Sequence, residues 1–290
     1  MNELSPAQVQ RFRFIEARLL WEGALQRKDL CTAFALTLNH VTREITNYRD
    51  RYPGNLTYDP GSRTWRAAGG FVPHHASGAA EEYLELLLAF SLSGDPSIMA
   101  GTGPAVPVQT LPALGGVIGA DVLRPLVAAI GHQQGLDIVY QSFSEPEPRR
   151  RTIWPHSLVY ALSRWHVRAY DKQKERFADF VLSRVLDCSQ PAAPDGGNAA
   201  PAKDLEWHQM VVVDVQPATH LSTTQQAVIA KQYGMNKAKQ GWKRSAKIRR
   251  CLVKYFLHQH RLDVRAGDTG IARIALCDPT LIEKHSFQDD

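Results

Sequence analysis

Two breaks in the sequence constrain the fold more than any other feature. Residues 94–119 are rich in proline and glycine, with Pro96, Pro104, Pro107 and Pro112 inside the stretch, and Ser189–Lys203 (SQPAAPDGGNAAPAK) is a low-complexity run. Proline removes backbone donors and glycine costs conformational entropy, so neither stretch suits a long helix or a central strand. A chain of 290 residues interrupted in this way is expected to fold as two or three domains. The second break reads as a flexible linker.

Ahead of the first break, Ser5-Pro6 is a helix start, a capping hydroxyl followed by proline at the first helical position. Phe12, Ile15, Leu19 and Leu20 then repeat at helical spacing until Gly23. A second short helix is predicted over Arg27–Phe34 and a third over Asn39–Arg51. In the third, Val41, Ile45, Tyr48 and Tyr52 form one stripe, leaving Asn39, His40, Arg43, Thr46, Asn47 and Asp50 outside. Asn55–Tyr58 and Arg63–Arg66 flank an Asp-Pro-Gly-Ser turn and read as a hairpin. Three helices followed by a hairpin is the order of a winged helix-turn-helix. Arg and Asn can pair with base edges in a major groove, with Thr42 beside them, while Arg63 at the wing turn is placed for the DNA backbone.

Residues 79–91 and Asp121–Gln133 read as helices of a connector. Beyond them Leu136–Phe143, Thr152–Leu158, Trp165–Tyr170 and Phe177–Leu182 are β-branched and aromatic, which predicts a small β-rich domain. Alternation puts Trp165 and Val167 on an apolar core side and His166 and Arg168 on a basic polar side. After the linker, Met210–Val215 is a strand candidate, followed by helical patterns at Ser222–Tyr233 and near Ile248–Gln259 and a short strand Ile271–Ala275.

The charge is uneven. Residues 231–254 hold nine Lys/Arg and no Asp/Glu, which fits either a polyanion-facing surface or a solvated basic helix. The four cysteines are scattered with no CxxC pair, so neither a zinc site nor a disulfide framework is expected, and a reducing cytoplasm suits them. The sequence lacks a signal core, a membrane span, a phosphate-cradling glycine motif and a GxSxG elbow. No enzyme, metal or cofactor is therefore expected. Guanidinium groups, His and Ser in the β-rich segment (Arg149–Arg151, His156-Ser157, Arg164, His166, Arg168, Arg184) suit a phosphate or nucleotide, or else simply face solvent.

The runs Ile153-Trp154-Pro155-His156-Ser157-Leu158-Val159-Tyr160, Arg164–Asp171 and Phe177–Val185 resemble the WYL-domain transcriptional regulators. Trp165-His166-Val167 stands where that family has its Trp-Tyr-Leu tripeptide. Leu221-Ser222-x-x-Gln225 and Tyr233-Gly234-Met235 resemble the subgroup found beside phage-defence operons of the BREX and CBASS kinds.

The resemblance implies an α+β multidomain chain. It would comprise a winged helix-turn-helix (1–70), a helical connector (71–133), a central Sm-like β-barrel WYL domain (134–188), a linker (189–204) and a small α+β dimerisation domain (205–290). It further implies a homodimeric autorepressor that binds an inverted-repeat operator and senses a nucleotide or nucleic acid. Carried onto matching positions, the sensing residues are Ser142, Arg151, His156, Ser157, Arg164, His166, Arg168 and Arg184. A competing reading is a nucleic-acid-sensing, single-strand or RNA-binding accessory module without operator specificity.

Overall fold

The computed structural model describes residues 3–94, 107–112, 114–191, 197–239, 241–263, 272–285 and 287. They fall into two compact units, Met1–Pro112 and Ala113–Asp290.

In the first unit, α1 (Pro6–Trp21) starts on a capping box in which Ser5 and Gln8 satisfy each other's backbone donors. A short helix α2 (Arg27–Phe34) ends on Ala35 in the left-handed region, and α3 (Leu38–Arg51) follows at once. Strands β1 (Leu56–Asp59) and β2 (Thr64–Ala67) form the antiparallel wing, and Leu25 adds a bridge to Trp65 through both its N–H and its C=O. The core is Phe12, Ile15, Leu30, Val41, Ile45 and Tyr48, all nearly or fully buried. A buried acid completes it: Glu16 accepts from the Tyr48 hydroxyl at 2.9 Å and from the backbone N–H groups of His74, His75 and Ala76. These bonds pin the segment after the wing onto α1 and satisfy a carboxylate that would otherwise be costly to bury. The unit continues into α4 (Ala80–Ser93), which Gly94 ends at a positive φ of 66°.

The second unit opens with α5 (Ala120–His132) and then β3 (Leu136–Tyr140), β4 (Arg149–Ala161), β5 (Arg164–Asp171), β6 (Arg176–Val181) and β7 (Val185–Cys188). These five strands make one antiparallel sheet in the order β6-β5-β4-β3-β7, an open ladder with β6 and β7 at its edges. One face buries Leu136, Ile138, Ile153, Val167 and Ala169 against Val122, Leu126 and Ala129 of α5. After α6 (Leu205–His208) comes a second layered region. Strand β8 (Met210–Pro217), helix α7 (Thr223–Gln232), β9 (Asn236–Ala238), β10 (Gly241–Arg249), helix α8 (Val253–Gln259), β11 (Ile274–Leu276) and α9 (Thr280–His285) follow in order. The strands pair as β11-β8-β10-β9, and Val213 and Val215 of β8 pack with Ile229, Val253 and Leu257 of the two helices.

Several sequence expectations change. The basic segment expected as a helix near Ile248 is strand β10 as far as Arg249, a short 3-10 turn, and only then α8. Its pairing with Met210–Val215 supplies a ladder that periodicity within the segment does not reveal. Strand β7 is a further element, and the last strand is Ile274–Leu276 instead of Ile271–Ala275, with Ile271 outside the described residues. Trp165, expected on the core side, is 46% exposed. The β4–β5 hairpin runs beyond the core there, and Trp165 rests on its cross-strand neighbour Tyr160 at 5.1 Å between ring centroids. The opposite side of β5 is not a wet basic face: His166 and Arg168 are buried beneath residues from the C-terminal part of the unit.

Candidate nucleic-acid interface and anion pocket

Helix α3 is set up at its first residue. Thr37 caps it by accepting from the His40 N–H, and Arg49 and Arg51 in the last turn complement the negative end of the helix dipole. Packing of Val41, Ile45 and Tyr48 then fixes its rotation, with Tyr48 edge-on to Phe12 at 5.2 Å. The consequence is an outer face on which Asn39, Thr42, Arg43 and Asn47 are exposed and His40 and Thr46 half-buried. All six expected reading residues thus share one helix. Thr42 is partly occupied: its hydroxyl donates to the Leu38 carbonyl at 2.9 Å and lies 3.5 Å from a guanidinium nitrogen of Arg27 on α2. His40 has a neighbour that sequence reasoning missed. Its Nε2 lies 3.5 Å from Oε1 of the buried Glu44, whose Oε2 accepts from Arg11 Nε at 3.1 Å.

In the wing, Asp59 organises the turn by accepting from the Gly61 N–H at 2.9 Å and from the Ser62 hydroxyl at 2.6 Å. The Ser62 bond is the main reason that the Asp59 carboxyl lies below its ordinary pKa. Arg63 follows in the left-handed region at φ 54° and is exposed at the tip.

The second unit holds a cavity of about 490 Å³. Five of the eight expected ligand residues line it: Ser142, Arg151, Arg164, His166 and Arg184. Three more cations, Lys174, Arg176 and Lys254, join them. The first two lie in and after the β5–β6 turn, and Lys254 belongs to the basic run that the composition had already marked. Aromatic rings complete the wall. Arg184 lies 3.9 Å from the centroid of the exposed Phe143 ring, and Tyr255 and Phe287 meet edge to face at 5.4 Å between centroids. Arg151 donates to Asp171 at 2.7 Å through Nη1, while its buried Nε and the buried Nδ1 of His166 have no hydrogen-bond partner among the described residues. Burial is the main cause that pushes the pKa of His166 below its ordinary value, so it sits in the cavity wall as a neutral ring at neutral pH.

The other three expected residues are placed elsewhere. Arg168 donates twice to Asp204, at 2.7 and 3.0 Å, and once to Asp179 at 3.2 Å. His156 lies 3.1 Å from the same Asp204 and 3.0 Å from the Ser157 hydroxyl. Arg168 and His156 thus meet at Asp204 in a buried ion cluster, with Ser157 beside His156, and these three do not line the cavity. Burial alone would raise the Asp204 pKa, but hydrogen bonds from His156 and Arg168 overcome it and hold the carboxyl well below the usual range. Asp179 extends this cluster to α8, accepting from the Tyr255 hydroxyl at 3.0 Å with Lys254 Nζ 3.6 Å away. Two residues of the cavity wall are thus tied to the buried cluster through one carboxylate.

Three family models match in chain order. They are the BrxR transcriptional regulator winged helix-turn-helix domain over residues 7–89, the WYL domain over 121–189, and the BrxR transcriptional regulator C-terminal dimerization domain over 210–279. The chain is 32% identical over 261 residues to the DNA-binding transcriptional repressor CapW of Pseudomonas aeruginosa, spanning 90% of this chain and 85% of that protein. It is 31% identical over 228 residues to CapW of Escherichia coli (strain KTE188), spanning 79% and 75%. The solved structure of the proteasome accessory factor B/C of Arthrobacter aurescens matches 98% of this chain and 48% of that one at 16% identity, with a TM-score of only 0.27. Similarity to CapW over most of both chains, together with the three models in order, shows that the chain belongs to the WYL-domain transcriptional regulators of the BrxR and CapW kind.

Proposed function

We propose that this chain is a homodimeric, sequence-specific DNA-binding repressor that acts on its own phage-defence operon. The observation that carries this reading is the outer face of α3, where Asn39, Thr42, Arg43 and Asn47 stand exposed on a helix followed by a wing. Arg43 and Asn47 read base edges, and Asn39, His40, Thr42 and Thr46 flank them. Arg63 at the wing tip contacts phosphate. The similarity to CapW supports repression, and the C-terminal dimerization model supports a homodimer on an inverted repeat.

The division into reading domain (1–70), connector (71–133), WYL domain (134–188), linker (189–204) and dimerisation domain (205–290) belongs to the same proposal. So does an Sm-like barrel built on the five-stranded sheet. In its support, a single 3-10 turn joins the two edge strands, and the Tyr140 hydroxyl of β3 accepts from the Val181 N–H of β6 at 3.2 Å. The cavity takes an anionic ligand, a nucleotide or nucleic acid, through Arg151, Arg164 and Arg184 with Ser142 and His166 beside them. Ligand capture relieves repression to the extent that the ligand prefers the state with weaker DNA affinity.

The test is an electrophoretic shift on the DNA upstream of the protein's own gene against random duplex of equal length, at two salt concentrations. The expected result is a preference of about 10³-fold or more that survives the higher salt. Equal, salt-sensitive binding to both duplexes would overturn the operator reading. It would favour a single-strand-binding module, for which the exposed Phe143 stacked on Arg184 offers a platform.

A further inference from the structure

Glu44 lies on α3 but is excluded from its outer face, with a side chain only 3% exposed. Its neighbours on the buried side, Val41, Ile45 and Tyr48, are apolar or aromatic, and an apolar residue would fill the position without the cost of burying a charge. Among the described residues the acid has two partners. Oε2 accepts from Arg11 Nε of α1 at 3.1 Å, and Oε1 faces His40 Nε2 one helical turn back at 3.5 Å. The His40 side chain is 36% exposed and shares the outer face with Arg43 and Asn47, at positions i, i+3 and i+7.

The 3.5 Å contact is longer than a good hydrogen bond, but the negative carboxylate favours the tautomer that carries its proton on the ring nitrogen facing it. In a neutral imidazole the other nitrogen, Nδ1, is then an acceptor. In the major groove an acceptor pairs with the exocyclic amino groups of adenine and cytosine and is mismatched with the keto oxygens of guanine and thymine. We infer that Glu44 is a specificity-determining positioning residue: by fixing the tautomer of His40, it makes the recognition helix select an amino-bearing base at one position of each half-site. The inference rests on the proposed DNA binding and names one of its rules.

Glu44→Gln tests it, because Arg11 dictates which way the new amide points. Arg11 Nε needs an acceptor, so the amide oxygen stays with it and the NH₂ group turns to His40 Nε2. Nε2 must then accept, the proton moves to Nδ1, and His40 presents a donor that suits guanine or thymine. The experiment is selection from a fully randomised duplex library at about pH 8, above the ordinary histidine range, with the full-length wild type, Glu44→Gln, His40→Ala and Arg11→Met.

The wild type is expected to select A or C at one half-site position. Glu44→Gln should move that position alone toward G or T by about fivefold or more, His40→Ala should lose the preference there, and Arg11→Met should keep it. A uniform loss of affinity in Glu44→Gln with the order of preferences unchanged would overturn the inference, as would a shift at a position indifferent to His40→Ala. Should Glu44→Gln fail to fold, an unchanged preference in His40→Ala overturns it equally. A wild type that selects no consensus overturns the DNA-binding reading itself, which is a distinguishable outcome.

Discussion

Arg168 shows how much one buried side chain can decide in this chain. Its guanidinium satisfies Asp204 and Asp179 together, each carboxylate being 1–2% exposed at the side chain. Arg168→Met leaves both acids buried without their main counter-charge, and the second unit should lose about 3–5 kcal/mol of stability, measured by chemical denaturation. A loss below about 1 kcal/mol would mean that the cluster is not holding the unit. The same residues set a pH dependence. Asp204 has a depressed folded pKa, so its contribution is present above its unfolded value of about 3.9 and is lost as pH falls toward the folded value. His166 is depressed as well, so below about 6.5 the unfolded chain takes up a proton that the folded ring resists. Thermal melting of the second unit should therefore fall in two windows on acidification, one beginning near pH 6.5 and one near pH 4. A flat profile between pH 7 and pH 5 would contradict the His166 assignment. On the DNA side, Arg43→Ala should cost about 1–3 kcal/mol at one base position and relax its preference, while Arg63→Ala should weaken all sequences alike. Titrations on operator and random duplex separate the two.

Among the elements, helices were more legible than strands. The cap at Ser5, the apolar stripe of α3 and the Asp59 turn are local signals, and the structure places α1, α3 and the wing where they indicate. Strand β10 was not legible, because its alternation of Lys, Arg and small residues becomes a strand only when β8 pairs with it. The cavity was legible in part for a similar reason. Alternation along β5 puts His166 and Arg168 on one side but cannot say that Asp204, 36 residues on, will take Arg168 out of reach. Glu44 gave no signal either, since a lone acid on a polar helix looks solvated until packing buries it. Some elements depend on a single small residue. A Cβ at Gly135, between α5 and β3, would come within 2.5 Å of the Trp154 indole, closer than any side chain tolerates. Gly135→Ala should thus destabilise the second unit by about 1–3 kcal/mol through overpacking, read by its thermal midpoint. An unchanged midpoint would show that Trp154 can move aside at no cost.

At the scale of the whole molecule, operator binding needs two copies of one short reading helix. One copy of α3 exposes only a handful of side chains for the proposed base reading, too few to pick a site from a genome, whereas a symmetric dimer would double the contacts and call for an inverted repeat. Two-fold symmetry then sets the distance between half-sites at one helical turn, about 34–36 Å, or a multiple of it. The measurement that tests this most directly is a hydroxyl-radical footprint of the full-length protein on the DNA upstream of its own gene. The expected result is two protected patches of inverted sequence with centres one turn or a whole number of turns apart, both lost together in Arg43→Ala; a single unpaired patch, or even protection along the whole duplex, would contradict a dimer reading two half-sites.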